Sequence, residues 1–199
     1  MAARRPENPD GLLLVAVMAA VMWAVEVVDA AGAHLDSAGI RPRDADGLPG
    51  IAAAPFLHAS FGHLIGNTIP FVVLGGAIAL AGLARIALVT VIVAVIGGLG
   101  VWLTAPAGSI TIGASGLVFG YAAYLVVRAV YSRSALHLLG AVAVVLVYGT
   151  TLLVSLVPTP GVSWQGHLFG AVGGAVAAWA IHGRGGRAVS PDRLRRPAL

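Results

Sequence analysis

Apolar residues run through this chain in long, nearly unbroken blocks, separated by short stretches rich in Gly, Pro and charge. An α-helix needs about 20 mostly apolar residues to cross about 30 Å of hydrocarbon. Six blocks qualify or nearly qualify: Leu12–Ala30, Phe61–Leu83, Ile86–Leu103, Ser115–Val130, Leu136–Val157 and Trp164–Ile181. None alternates with the period of a strand, and lipid-exposed backbone must satisfy its own hydrogen bonds, so all six read as helices. The intervening "GIRPRDADGLPG", "TAPAGSITIG" and "PTPGVSW" carry the Pro and Gly that break helices. No internal repeat and no separate soluble domain interrupts the pattern.

Composition agrees with an all-α integral membrane protein. The 199 residues are 58% hydrophobic and 10% charged, against roughly 25% charged in a soluble domain. The absence of cysteine excludes disulfides, thiolate metal sites and cysteine nucleophiles. All 12 basic residues are arginine, and this lysine-free, Ala- and Gly-rich composition suggests a bacterial source. Five of the arginines (Arg184, Arg187, Arg193, Arg195 and Arg196) crowd the C-terminal end. A juxtamembrane tail explains them better than nucleic-acid binding does, so no nucleic-acid partner is expected. Counting arginines alone, Arg4, Arg5, Arg85, Arg128, Arg133 and the tail fall on one side of a six-span bundle and Arg41 and Arg43 on the other. That places both termini in the cytoplasm. The expected organisation is a cytoplasmic segment over 1–11, a six-helix membrane domain over 12–183 and a basic cytoplasmic tail over 184–199. The competing reading of the first block is a signal peptide, since Arg4 and Arg5 precede it and "VVDAAGA" follows. Either choice leaves the second span entering from outside.

The acids narrow the chemistry. Glu7, Asp10, Glu26, Asp29, Asp36, Asp44, Asp46 and Asp192 are all of them, so residues 47 to 191 contain none. Paired-carboxylate proteolysis and carboxylate relays through the last five spans are thereby removed, and no "HExxH" is present for a catalytic zinc. The polar residues that remain in apolar surroundings are His58, His63, Asn67, Ser115 and His167. With the N-terminus inside, spans two, four and six begin at the outer face, and His63 with Asn67, Ser115, and His167 open those three spans. At about 1.5 Å per residue, Ser115 lies about 20 Å from Arg128, Asn67 about 27 Å from Arg85 and His167 about 25 Å from Arg184. All three positions fall below the outer edge of the hydrocarbon, Ser115 deepest. The loop before span four must therefore dip into the protein, which is tolerated where backbone is buried or lines a wet cavity.

Small residues at four-residue spacing, Gly116 and Gly120 in span four and Gly166, Gly170 and Gly174 in span six, allow the two helices to pack backbone to backbone. That brings Ser115 within reach of His167. A neutral imidazole can take the proton of a serine hydroxyl, making the pair a nucleophile and general base. No acid stands nearby to orient the imidazole unless Glu26 or Asp29 of span one reaches in. His63 and Asn67, four residues apart on one helical face, and the Ser115 backbone N–H are candidate oxyanion donors. Residue by residue the bland readings stand beside these: Ser115 as a packing contact, His167 as an interhelical hydrogen bonder, His63 and Asn67 as helix glue or a cap. His58 reads as an orienting or loop residue, and Glu26 and Asp29 as facing water or pairing with Arg41 or Arg43. Trp102 and Trp164 read as interface anchors. His34, His137 and His182 sit at span ends without a motif.

As a set, residues 55 to 175 resemble the rhomboid family of intramembrane serine proteases, specifically the six-helix bacterial type. The family's H-x4-H-x3-N is met by His58, His63 and Asn67, its G-x-S-G by Gly113, Ala114, Ser115 and Gly116, and its H-x2-G-x3-G by His167, Gly170 and Gly174. The resemblance implies a rhomboid-like bundle with Ser115 as nucleophile, His167 as general base, and His63 and Asn67 as oxyanion donors, without metal or cofactor. It further implies a multi-pass protein of the inner (plasma) membrane, with a water-filled active site open to the extracytoplasmic side. The substrates implied are single-span membrane proteins cleaved near or within their transmembrane helix. Two positions depart from the family pattern. Phe119 replaces the Tyr that stacks on the catalytic histidine, keeping the ring and losing the hydroxyl, and the first loop lacks the family's Trp-Arg pair. The rival reading is a non-catalytic protein of the same fold that binds transmembrane helices for quality control.

Overall fold

The computed structural model describes residues 9–132 and 134–183. The expectations for Arg4, Arg5, Arg133 and the tail 184–199 lie outside the described residues, as does most of the segment 1–11. Six long helices carry the described chain: α1 (Pro9–Val28), α2 (Phe61–Ala79), α3 (Leu83–Thr104), α4 (Ser115–Ser132), α5 (Ala135–Val154) and α6 (Trp164–His182). No strand occurs among the described residues beyond two isolated bridges, Ile40 with Thr111 and Thr159 with Val162. The stretches Pro9–Ala33, Phe61–Ala79, Leu83–Thr104 and Ser115–Ser132 are each long and apolar enough to cross a membrane. The chain is a multi-pass membrane protein.

Local chemistry sets the helix ends. The second span is expected to run to Leu83, but α2 stops at Ala79 and Leu83 begins α3. Gly82 takes φ +102° and ψ +163° there, a conformation glycine adopts without strain, and its N–H donates to the Ala79 carbonyl at 2.8 Å, so the chain turns before α3. Likewise α5 ends at Val154 rather than Val157. The entry to α2 is fixed by Ser60, whose Oγ accepts from the His63 N–H at 3.2 Å. Ser163 does the same for α6 through the Gly166 N–H at 3.2 Å.

The core lies around α4. Tyr121 and Tyr124 are fully buried with Phe71, Leu64, Leu74, Ile86, Val89 and Val93 from α2 and α3. The Tyr121 hydroxyl pairs with Thr90 Oγ1 at 2.6 Å, giving its polar end a partner inside the bundle. Helices α4 and α6 approach closely through glycine. A Cβ added at Gly170 would overlap the Gly116 carbonyl oxygen and lie 3.0 Å from its carbon, and one at Gly174 would overlap the Gly120 carbonyl oxygen and lie 2.7 Å from its carbon. Such backbone-to-backbone packing is how small residues join membrane helices. In contrast α5 packs chiefly on α4 and leaves Leu136, Leu139, Leu146 and Val147 outward.

The loop between α1 and α2 is held to the end of α3. Trp102 Nε1 donates to the Asp44 carbonyl at 2.8 Å, and Arg43 Nη1 to the Leu103 carbonyl at 3.1 Å. The indole therefore anchors a loop, a role the interface-anchor reading omits. Of the two readings of Glu26 and Asp29, facing water or pairing with Arg41 or Arg43, the pairing does not form, and Glu26 does not face water. Arg41 instead pairs with Asp44 at 2.9 Å, Asp29 accepts from the Leu35 N–H, and Glu26 is buried on α1. The loop engages both arginines elsewhere: Arg43 is held to the end of α3 and Arg41 to Asp44 within the loop.

Candidate active site

Ser115 is placed by the backbone that leads into α4. Ile40 and Thr111 exchange two backbone hydrogen bonds of 3.0 Å, and the Gly113 N–H donates to the Ala54 carbonyl at 2.8 Å, so the lead-in is tied to the first loop. Gly113 has φ +111°, and a Cβ there would come within 2.8 Å of the His63 ring. Both the dihedral and the space demand glycine. Next to it the Ala114 N–H points at His58 Nε2, 3.4 Å away, with both residues buried. An accepting nitrogen carries no proton, so His58 is the neutral Nδ1–H tautomer in this contact. The turn thereby presents Ser115 as the first residue of α4.

His167 comes from the first turn of α6. Its Nε2 is 3.0 Å from Ser115 Oγ, and its Nδ1 is 2.8 Å from the Ser155 carbonyl at the end of α5. A carbonyl only accepts, so Nδ1 carries the ring proton and Nε2 keeps a lone pair facing the serine. The ring also lies on Phe119, with centroids 4.1 Å apart and planes at 5°. Two restraints thus set the imidazole: a hydrogen bond fixes its tautomer and an aromatic face fixes its plane. Among the described residues no acid lines the cavity that holds this pair, Glu26 and Asp29 included. Sequence reasoning had no signal for Ser155, because a backbone carbonyl has no residue signature.

The two groups open into a cavity of about 480 Å³ lined by His63, Asn67, Ser115, Phe119, Ser155 and His167 among others. Asn67 donates one amide hydrogen to the His63 carbonyl at 3.0 Å, which leaves its second for the cavity. The rings of His58 and His63 meet edge to face at 5.0 Å, so His58 backs His63 as well as the turn. The N–H of Ser115, in the first turn of a helix, has no intrahelical acceptor. Ser115, His167, His63, Asn67 and Phe119 share the cavity, His58 and Gly113 form the turn beneath Ser115, and Gly116, Gly170 and Gly174 bring α4 against α6.

A family model described as the Rhomboid domain matches residues 48–184. Among similar proteins, the uncharacterized protein Mb1372 of Mycobacterium bovis and the uncharacterized protein Rv1337 of Mycobacterium tuberculosis are each 43% identical over 187 residues, covering 89% of this chain and 78% of theirs. The uncharacterized protein ML1171 of Mycobacterium leprae is 44% identical over 172 residues, covering 81% and 68%.

Proposed function

Because the chain belongs to the rhomboid family, we propose that it is an intramembrane serine endopeptidase that cleaves single-span membrane proteins near or within their transmembrane helix. The observation that carries this reading is the contact of 3.0 Å between Ser115 Oγ and a His167 ring whose tautomer is set by the Ser155 carbonyl. Ser115 Oγ attacks the scissile carbonyl carbon while its proton passes to His167 Nε2. The oxyanion is received by the Asn67 amide, the His63 ring and the Ser115 N–H, fixed donors in a site of low dielectric. The tetrahedral intermediate then collapses, the imidazolium gives its proton to the leaving amine, and an acyl-enzyme ester remains on Ser115. Water, deprotonated by His167, hydrolyses that ester and regenerates the hydroxyl. No step needs a metal or cofactor.

In this proposal all six long helices cross the membrane over 12–183, both termini are cytoplasmic, and the cavity opens to the extracytoplasmic side of the plasma membrane. The arginine distribution supports that orientation.

Labelling with a fluorophosphonate, together with cleavage of a single-span reporter, tests the reading. Ser115→Ala and His167→Ala should each abolish both signals, and the double variant should be no worse than either, because parts of one nucleophilic unit are not additive. Residual cleavage by Ser115→Ala near the wild-type rate refutes it. A wild-type chain that never labels points instead to a non-catalytic binder of transmembrane helices.

A further inference from the structure

At the end of the bundle opposite Ser115, four helices bring cationic and imidazole groups together. Arg85 in the first turn of α3 donates to the Tyr124 hydroxyl of α4 at 3.3 Å and to His182 Nε2 at the end of α6 at 3.0 Å. The Tyr124 hydroxyl and His182 Nε2 are 3.1 Å apart, closing a triangle. One turn along α4 from Tyr124, Arg128 Nη2 meets His137 Nε2 in the first turn of α5. His182 lies within electrostatic reach of Arg85, Arg128 and His137 together.

This cluster has donors and charge in excess. Two guanidiniums are permanently cationic, and the partners they have found are neutral. Residues 47 to 191 contain no carboxylate, and among the described residues the one ion pair, Arg41 with Asp44, sits at the other end of the bundle. Asp10 at the start of α1 is exposed. Within the cluster Arg128 Nε and His137 Nδ1 are buried without a partner. Because His137 Nε2 accepts from Arg128, Nδ1 bears the hydrogen, so both orphan atoms are donors. Helices α3 and α5 begin here, and neither Gly82 nor Ser134 caps them with a side chain, so first-turn N–H groups face the region in which α4 and α6 end. Leu80, Val130 and Leu136, each 74% to 77% accessible, lie at the same end of the bundle.

Two guanidiniums at the edge of hydrocarbon with only neutral partners are costly unless an anion with several acceptor oxygens meets them. We propose that Arg85, Arg128, His137 and the start of α5 form a binding site for a phosphate group, supplied by the phosphodiester of an anionic phospholipid. The apolar rim selects the lipid over free phosphate, because acyl chains cover Leu80, Val130 and Leu136 while the headgroup meets the guanidiniums. A net-anionic headgroup is preferred over phosphatidylcholine, whose quaternary ammonium brings positive charge to a site already in excess of it.

The test is native mass spectrometry of the purified chain in neutral detergent with equimolar phosphatidylglycerol and phosphatidylcholine, alongside Tm measurements with each lipid and with millimolar inorganic phosphate. Wild type should favour phosphatidylglycerol about tenfold or more, the equivalent of one charge-assisted hydrogen bond. R85Q/R128Q should lose the preference, and R41Q/R43Q, altered at the opposite end, should keep it. Helical circular dichroism and size exclusion establish that each variant is folded. Should the double variant aggregate, R85Q and R128Q tested singly, each removing one guanidinium charge, carry the same reading. Equal binding of the two lipids by wild type, or an undiminished preference in the folded variants, overturns the site. A Tm increase with inorganic phosphate equal to that with phosphatidylglycerol overturns the assignment to lipid.

Discussion

The glycine contact between α4 and α6 gives a perturbation whose size follows from geometry. Adding one methyl at Gly170 puts a carbon 3.0 Å from the Gly116 carbonyl carbon and 3.1 Å from its Cα, with the carbonyl oxygen nearer still. Carbon atoms rest at about 3.5 Å or more, so the carbons alone ask for a parting of about 0.5 Å. The overlapped oxygen raises the parting to about 1 Å. Neither partner is a flexible side chain that can turn aside; both are helix backbone. Gly116 adjoins Ser115 and Gly170 lies one turn from His167, so the shift passes directly into their 3.0 Å contact. A misplacement of about 1 Å at reacting groups costs about 100-fold in rate, whereas overpacking of this kind costs about 1–3 kcal/mol in stability. Gly170→Ala should therefore insert and purify with a modestly lowered Tm and label with fluorophosphonate about 100-fold more slowly than wild type. Gly140→Ala is the control, because a Cβ there meets nothing within 4 Å. Wild-type labelling by Gly170→Ala would show that this face does not set the Ser115–His167 geometry.

Three further outcomes are expected. His58→Ala leaves the buried Ala114 N–H without its acceptor, which should cost about 1–3 kcal/mol. A lowered Tm with slowed labelling is the expected result, and an unchanged Tm would remove His58 from the turn's support. Trp102→Phe keeps the ring but loses the hydrogen bond to the Asp44 carbonyl, worth about 1 kcal/mol. Hydrogen exchange across residues 41–47 should accelerate while labelling stays near wild type, and unaltered exchange would refute the anchoring role. Asp44 is held below the usual carboxylate range, first by the Asp46 N–H and then by Arg41. Its contribution to the loop is therefore fully present above the ordinary carboxylate pKa of about 3.9 and fades as pH falls through the lower folded value. Acid-induced exchange of the Asp46 and Gly47 amides in that window should vanish in Asp44→Ala, and its persistence would assign the acid response elsewhere.

The sequence by itself determined the helices and most of the site's cast, for two physical reasons. Hydrocarbon admits so few backbone solutions that long apolar blocks declare themselves as spans. In so apolar a chain each buried polar side chain is conspicuous, and the acid-free stretch from residue 47 to 191 left His58, His63, Asn67, Ser115 and His167 standing out. The four-residue spacing of the glycines also announced the α4–α6 contact, because small residues on one helical face have few other uses in lipid. Helix ends were less legible, as at Leu83, because a single glycine at positive φ outweighs the hydropathy of its neighbours. Only the tertiary structure decided what orients His167. Its partner is the main-chain oxygen of Ser155, and every residue carries such an oxygen, so no residue type betrays it. The partners of Arg41, Arg43 and Trp102 were hidden for the same reason, since loop contacts are set by where the chain turns. The cluster of Arg85, Arg128, His137 and His182 was equally invisible. Its members are spread over four helices, and only the packing of those helices brings their charges to one place.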